Sequence, residues 1–460
     1  MERQAEGTNI KARRELFSRE QRRSDFKSVL NSFRKRILES ETPLPAKFEQ
    51  DTSDRESIMK QHLHIKIIEH VLGISSHFDA NAYPTTALIG GLTKITSNLN
   101  CNDLFNESDV DLLKKFCLYV FEQHSNKHIT RLGTVVLYNI VIDNNPKNNF
   151  LLNLIIGTTD IFNRVLFFLE HETSIDSLEC VLKLFSAILP KEKNISKKYS
   201  IEFLKLADSL STNDTVIIFL LLACVGYIFA KHSEKSMLFL ISHLFEQALK
   251  FFNEMPDYLY NEVSTLTGIL RILSTYVFIS ENEKNTINFM TAELNVEHFL
   301  KLLSHSNSNI VINTLWLIQN AMVDLKRINT YPNWQKILPE LVSSLQSLAV
   351  YGDFNVQVEA SSCLVYIFAN VEPDAIERYL KTNIDQILTS CRDMLSHTQS
   401  QIVMNALTLC ELFGLSSPWF VEIAKQDQRF IEVLERLIIK GERQVSNKSA
   451  EFVEKYFSSN

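Results

Sequence analysis

Three stretches of this chain, SNIVINTLWLIQNAM at 308–322, FNVQVEASSCLVYIFAN at 354–370 and SQIVMNALTLCELFG at 400–414, share a polar lead, a Val and then a long amphipathic pattern of helical period. Set in one frame with the earlier segments GGLTKITSN, TVVLYNIVID, LKLFSAIL, ACVGYIFA and ILRILSTYV, they define a column at Lys94, Asn139, Ala187, Tyr227, Thr275, Asn320, Tyr366 and Glu411. Successive gaps along that column are 45, 48, 40, 48, 45, 46 and 45 residues. A chain that repeats itself in this way cannot bury the apolar face of one unit until a neighbour stacks on it, so the fold must grow by addition.

The length of the period decides the class of unit. It exceeds the ~33–34 residues of ankyrin and tetratricopeptide units and falls in the range of armadillo and HEAT repeats, with two or three helices each. Composition agrees, because 11 Gly and 10 Pro in 460 residues leave few tight turns. The predicted fold is all-α: an armadillo-repeat superhelical solenoid of about nine or ten repeats over 59–460. Ahead of it lie a basic, largely flexible N-terminal arm (1–40) and a polar linker (41–58), SETPLPAKFEQDTSDRES, with Pro43 and Pro45.

Charge and cysteine usage exclude several functions. A net charge of −7 disfavours a general nucleic-acid binder, which carries a basic excess. Cys101, Cys117, Cys180, Cys224, Cys363, Cys391 and Cys410 are odd in number and form no Cys-x-x-Cys pair, the pattern of reduced core thiols in a cytosolic protein. The longest apolar run, 216–230, falls short of the ~20 residues that span a bilayer, and no secretory leader is expected. His62, His64 and His70 have no accompanying Cys or acidic ligand set and are expected on the surface of an early helix, with no metal. No phosphate-binding Gly-rich loop, Gly-x-Ser-x-Gly or His-Glu-x-x-His is present. The expectation is a protein that is not an enzyme and takes no cofactor.

The repeats resemble one family in detail. Trp316 and Asn320 in LWLIQNAM stand four residues apart, as in the Trp and Asn that end the third helix of importin-α repeats. In ILRILST, Arg271 stands where the sixth repeat of that family replaces the Trp, and in VEASSCLVY Glu359 stands where the eighth carries an acidic groove residue. Asn139 and Asp143 in LYNIVIDNNP match the family's third repeat, and equally fit a helix end before Pro146. KSAEFVEKYF at 448–457 is similar to its closing helix. Departures are as visible: Gly90, Val135, Lys183, Ala223 and Ser362 stand at other Trp positions, and Lys94, Ala187 and Tyr227 in the Asn column.

What the resemblance implies is a nuclear import adaptor shuttling between cytoplasm and nucleus. Its partners would be cargo proteins with basic localisation peptides, an importin-β-like carrier and an export receptor for recycling, with no membrane and no direct nucleic acid. The peptide groove would comprise Arg271, Thr275, Trp316, Asn320, Glu359, Tyr366, Asn139 and Asp143. The arm would bind the carrier through Lys11, Arg13, Arg14, Arg19, Arg22, Arg23, Lys27, Arg34, Lys35 and Arg36. The residue types suit a basic ligand. Asn holds a peptide backbone without reading its sequence, a Trp face carries a Lys or Arg stem, and carboxylates take the cationic head. The eroded N-terminal half, with Lys94 and Lys183, places binding toward the C-terminal half. The other reading is a non-transport armadillo scaffold for a dedicated protein partner.

Overall fold

The computed structural model describes residues 58–457, with breaks at 60–61, 80, 82, 100–103, 106, 123–125, 143–160, 172–173, 191–194, 211–213, 233–234, 280–293 and 323–331. The whole basic arm, Cys101 and Asp143 lie outside the described residues. Every regular element among the described residues is helical. The chain divides into two compact units, 1–224 and 225–460.

In the first unit, α1 (Leu63–Val71), α2 (Thr85–Asn98), α3 (Val110–Glu122), α4 (Lys127–Ile142), α5 (Ile161–His171), α6 (Ile175–Ile188) and α7 (Lys197–Ser209) precede α8 (Thr215–Lys231), which carries the division between units within it. Helices α2, α4 and α6 pack side by side in one row, and α1, α3, α5 and α7 form the row behind. Asp214 begins α8 by accepting the amides of Val216 and Ile217, as Ser196 accepts that of Tyr199 for α7.

The second unit repeats this arrangement. It contains α9 (Lys235–Leu238), α10 (Ser242–Glu254), α11 (Asp257–Asn261), α12 (Val263–Ile279), α13 (Glu297–Leu303), α14 (Ser308–Met322), α15 (Pro332–Tyr351), α16 (Phe354–Asn370), α17 (Pro373–Leu395), α18 (Ser400–Ser416), α19 (Pro418–Gln426), α20 (Gln428–Lys440) and α21 (Arg443–Tyr456). Helices α12, α14, α16, α18 and α21 form one row, backed by α13, α15, α17 and α20. The last repeat shows three separate helices, α19 to α21; one repeat earlier the first two meet at a kink in α17, where Asn383 leaves helical geometry (φ −127°, ψ 21°). Phe413 of α18 joins successive repeats, lying edge-on to Phe368 of α16 at 4.9 Å and to Phe420 of α19 at 5.4 Å.

Two histidines close the turns that lead into this row. Nδ1 of His305 accepts the amide of Asn307 at 2.9 Å while Nε2 donates to the Tyr260 carbonyl at 3.0 Å, and Nδ1 of His397 accepts the amide of Gln399 at 3.0 Å. The arrangement requires neutral rings. Burial holds both pKa values below the ordinary histidine value, with the Tyr260 carbonyl opposing the shift at His305. Below about pH 6.5 the unfolded chain takes up protons that these rings refuse, so their contribution is complete above that pH and is lost as pH falls. Thermal melts at about pH 7.5 and pH 5.5 should show a lower midpoint in acid. A variant with His305→Gln and His397→Gln should show a smaller difference; an undiminished one would rule out these two rings.

The expected surface placement of the early histidines does not hold throughout. His64 is buried, edge-on to Phe105 at 5.3 Å, because its position in the α1 repeat falls on the apolar face, and His70 accepts the amide of Phe78 through Nδ1. The six described cysteines are free and buried, and burial pushes the Cys180 thiol up to about 12. No described helix is long and apolar enough to cross a membrane.

Candidate peptide-binding face

In the second unit the free side of the α12–α21 row is formed by residues three and four apart on each helix. On α14 it presents Ile312 and Trp316, on α16 Glu359, Ser362, Val365 and Tyr366, and on α18 Met404, Thr408, Glu411 and Leu415. Trp316 is 40% exposed, Tyr366 45% and Leu415 66%, so three successive helices hold large apolar side chains open to solvent.

Polar groups around them are bound across the helix interfaces. Arg271 of α12 reaches α14, donating from Nε to Oδ1 of Asn313 at 3.0 Å, and its guanidinium lies 4.8 Å from the centre of the Tyr227 ring. Burial lowers its pKa from the usual guanidinium value, with the Tyr227 charge opposing. Glu359 accepts from the Gln319 amide at its backbone carbonyl, 3.0 Å, and at Oε2, 3.2 Å. The amide of Asn320 donates to the Ser274 carbonyl at 3.1 Å and to its hydroxyl at 2.8 Å.

The structure therefore brings Arg271, Trp316, Asn320, Glu359 and Tyr366 onto neighbouring helices of one unit, but in two kinds of role. Trp316 and Tyr366 are open. Thr275 is buried, and Asn320 spends its amide between repeats. Asn139 is also a repeat-interface residue here, 2% exposed with its amide donating to the Thr96 hydroxyl at 3.1 Å. The reason is a partner one period away. Asn139 and Thr96 are 43 residues apart, Asn320 and Ser274 46, and Asn405 and Ser361 44. These Asn-to-hydroxyl pairs were legible as a correlated spacing, a signal that reading one column at a time misses.

Among the described residues of the first unit, none of the row's Trp positions carries an aromatic side chain. Val135 and Ala223, which stand at Trp positions of the resemblance, are 1% and 2% exposed, and Gly90 is buried. Two of its cations are met within the row: Lys183 pairs with Glu179 one turn earlier, and Arg131 of α4 lies 3.6 Å from Asp176 of α6.

No protein-family model matches this sequence, and no curated protein sequence matches it significantly. Solved structures do. An engineered protein from a structural genomics programme superposes with a TM-score of 0.58 at 14% identity, covering 93% of this chain and 100% of its own. A chain solved in work on a phosphorylation switch in the interaction between cadherin and beta-catenin gives a TM-score of 0.53 at 14% identity, covering 88% of this chain and 80% of its own. At such identity the likeness defines the fold alone. The chain is a helical repeat protein of the armadillo and HEAT type.

Proposed function

We propose that this protein is a binding adaptor whose working surface is the α12–α21 row, and that it acts by holding an extended peptide rather than by catalysis. The observation that supports this is the pair of open aromatic side chains, Trp316 and Tyr366, on adjacent helices with the Glu359 carboxylate on the same face. Adjacent helices pack about 8–10 Å apart and an extended chain advances about 3.3 Å per residue, so each repeat meets roughly every third peptide residue. A Lys or Arg stem lies flat on Trp316 while its head gains a cation–π attraction of about 0.5–2 kcal/mol and reaches a carboxylate.

The ligand class that fits is a basic peptide, as the resemblance to importin-α implies: a cargo localisation signal, with residues 1–40 engaging an importin-β-like carrier and the complex moving between cytoplasm and nucleus. One observation favours the second reading, a non-transport scaffold for a dedicated partner. In the first unit's row Lys183 and Arg131 are paired with the row's own carboxylates, and Val135 and Ala223 at Trp positions are buried. The two readings separate in one pull-down. Full-length protein should retain importin-β and a basic peptide, and removal of residues 1–45 should abolish the first and leave the second unchanged or stronger, because the arm competes for the face. Carrier binding that is absent from the full chain would leave the scaffold reading; peptide binding weakened by the deletion would overturn competition by the arm.

A further inference from the structure

At the C-terminal end of the second unit the chain itself supplies a cation to the free side of the row. Lys448, on α21, reaches back to α18: its ammonium donates to the Thr408 hydroxyl at 2.6 Å and lies 3.5 Å from Oε2 of Glu411. The two side chains are 22% and 29% exposed, so the group is partly withdrawn from water. The other lysine of α21, Lys455, lies over the Tyr456 ring with Nζ 4.9 Å from its centre.

The neighbouring repeats differ. At the α16–α18 interface the group reaching back is the neutral amide of Asn405, which donates to the hydroxyls of Ser361 and Ser362. The carboxylate on that repeat, Glu359, is met by the neutral amide of Gln319 and keeps its charge for an incoming cation. A hydroxyl and a carboxylate that together hold an ammonium therefore occur at Thr408 and Glu411, and that position is occupied.

We propose that Lys448 is the built-in occupant of a cation subsite at Thr408 and Glu411, so that it closes that position on this face to a bound peptide's basic side chains. This rests on the peptide-binding reading above. A second ammonium at Thr408 and Glu411 meets a like charge and an already neutralised carboxylate. It also competes with a tethered lysine at an effective concentration of about millimolar. A peptide's basic side chain is accordingly directed to Glu359, one repeat upstream, beside Trp316 of the repeat before it. A purely structural cap, covering the polar end of the stack, predicts a loss of stability when Lys448 is changed and no change in what the face selects.

Labelled peptides distinguish these cases in the full chain: one with a single Lys, and two with a further Lys about three residues to either side, the advance per repeat. Wild-type protein should bind all three alike. Lys448→Met should bind one of the two-lysine peptides about fivefold tighter, the scale of one partly exposed ion pair, and leave the one-lysine peptide unchanged. Adding Glu411→Gln should remove the gain, and Lys448→Arg, which keeps the cation, should show none. Melting curves establish that each variant folds, and Lys448→Gln replaces Lys448→Met if the latter does not. No gain for either two-lysine peptide, or an equal gain for all three, would overturn the proposal. Wild-type protein that binds none of the peptides would overturn the peptide reading beneath it.

Discussion

Replacing Trp316 by Ala should weaken basic-peptide binding by about 1–3 kcal/mol, or roughly five- to 150-fold, the scale of losing an aromatic anchor at an interface. Trp316 is 40% exposed on α14 and supplies the flat face over which a cationic stem packs. Trp316→Phe should retain part of the affinity, since a smaller ring keeps the stem contact with a weaker π surface. Asn320→Ala should behave differently. Its amide donates to Ser274 on α12, so the change should lower stability by about 1 kcal/mol and affect the peptide less. Fluorescence titration together with melting curves separates the two effects. Unchanged affinity in Trp316→Ala would remove the face from consideration.

Gly226→Ala should destabilise the second unit by about 1–3 kcal/mol, although the same change in an open helix stabilises by up to about 1 kcal/mol. A Cβ at Gly226 would stand 2.3 Å from the Cα of Gly268 on α12 and 2.7 Å from its carbonyl oxygen. What it meets is backbone, which cannot rotate away as a side chain can, so α8 and α12 would have to separate. Phe229 and Leu270, both fully buried, sit within a turn of the two glycines, so the surrounding core is close-packed and has little room to absorb such a shift. Urea unfolding that showed Gly226→Ala neutral or stabilising would refute the close pass.

Much of the fold was legible because its period was long and its pattern local. The column from Lys94 to Glu411 lands on helices of the two rows' exposed side or their interfaces in every described instance, since hydrophobic spacing within a helix needs no knowledge of what it packs against. The candidate site was legible only in part. Trp316 and Tyr366 are open on neighbouring helices of the second unit, whereas Asn139 and Asn320 share their spacing and serve the interfaces instead, and Thr275 is buried. Helical period says that two residues lie on one face; it does not say whether the next repeat covers that face.

By itself the sequence determined the all-helical repeat architecture and the spacing of its units, because 3.6-residue periodicity and loop spacing are properties of one segment at a time. Tertiary structure decided which polar side chains remain available. The Ser274 hydroxyl takes the Asn320 amide and Lys448 takes Glu411, each across a repeat interface, whereas Glu359 meets only the neutral Gln319 amide. Those choices depend on distances of about 3 Å between helices some 40 residues apart, at which a one-residue shift of register exchanges a hydrogen-bond partner for an apolar neighbour.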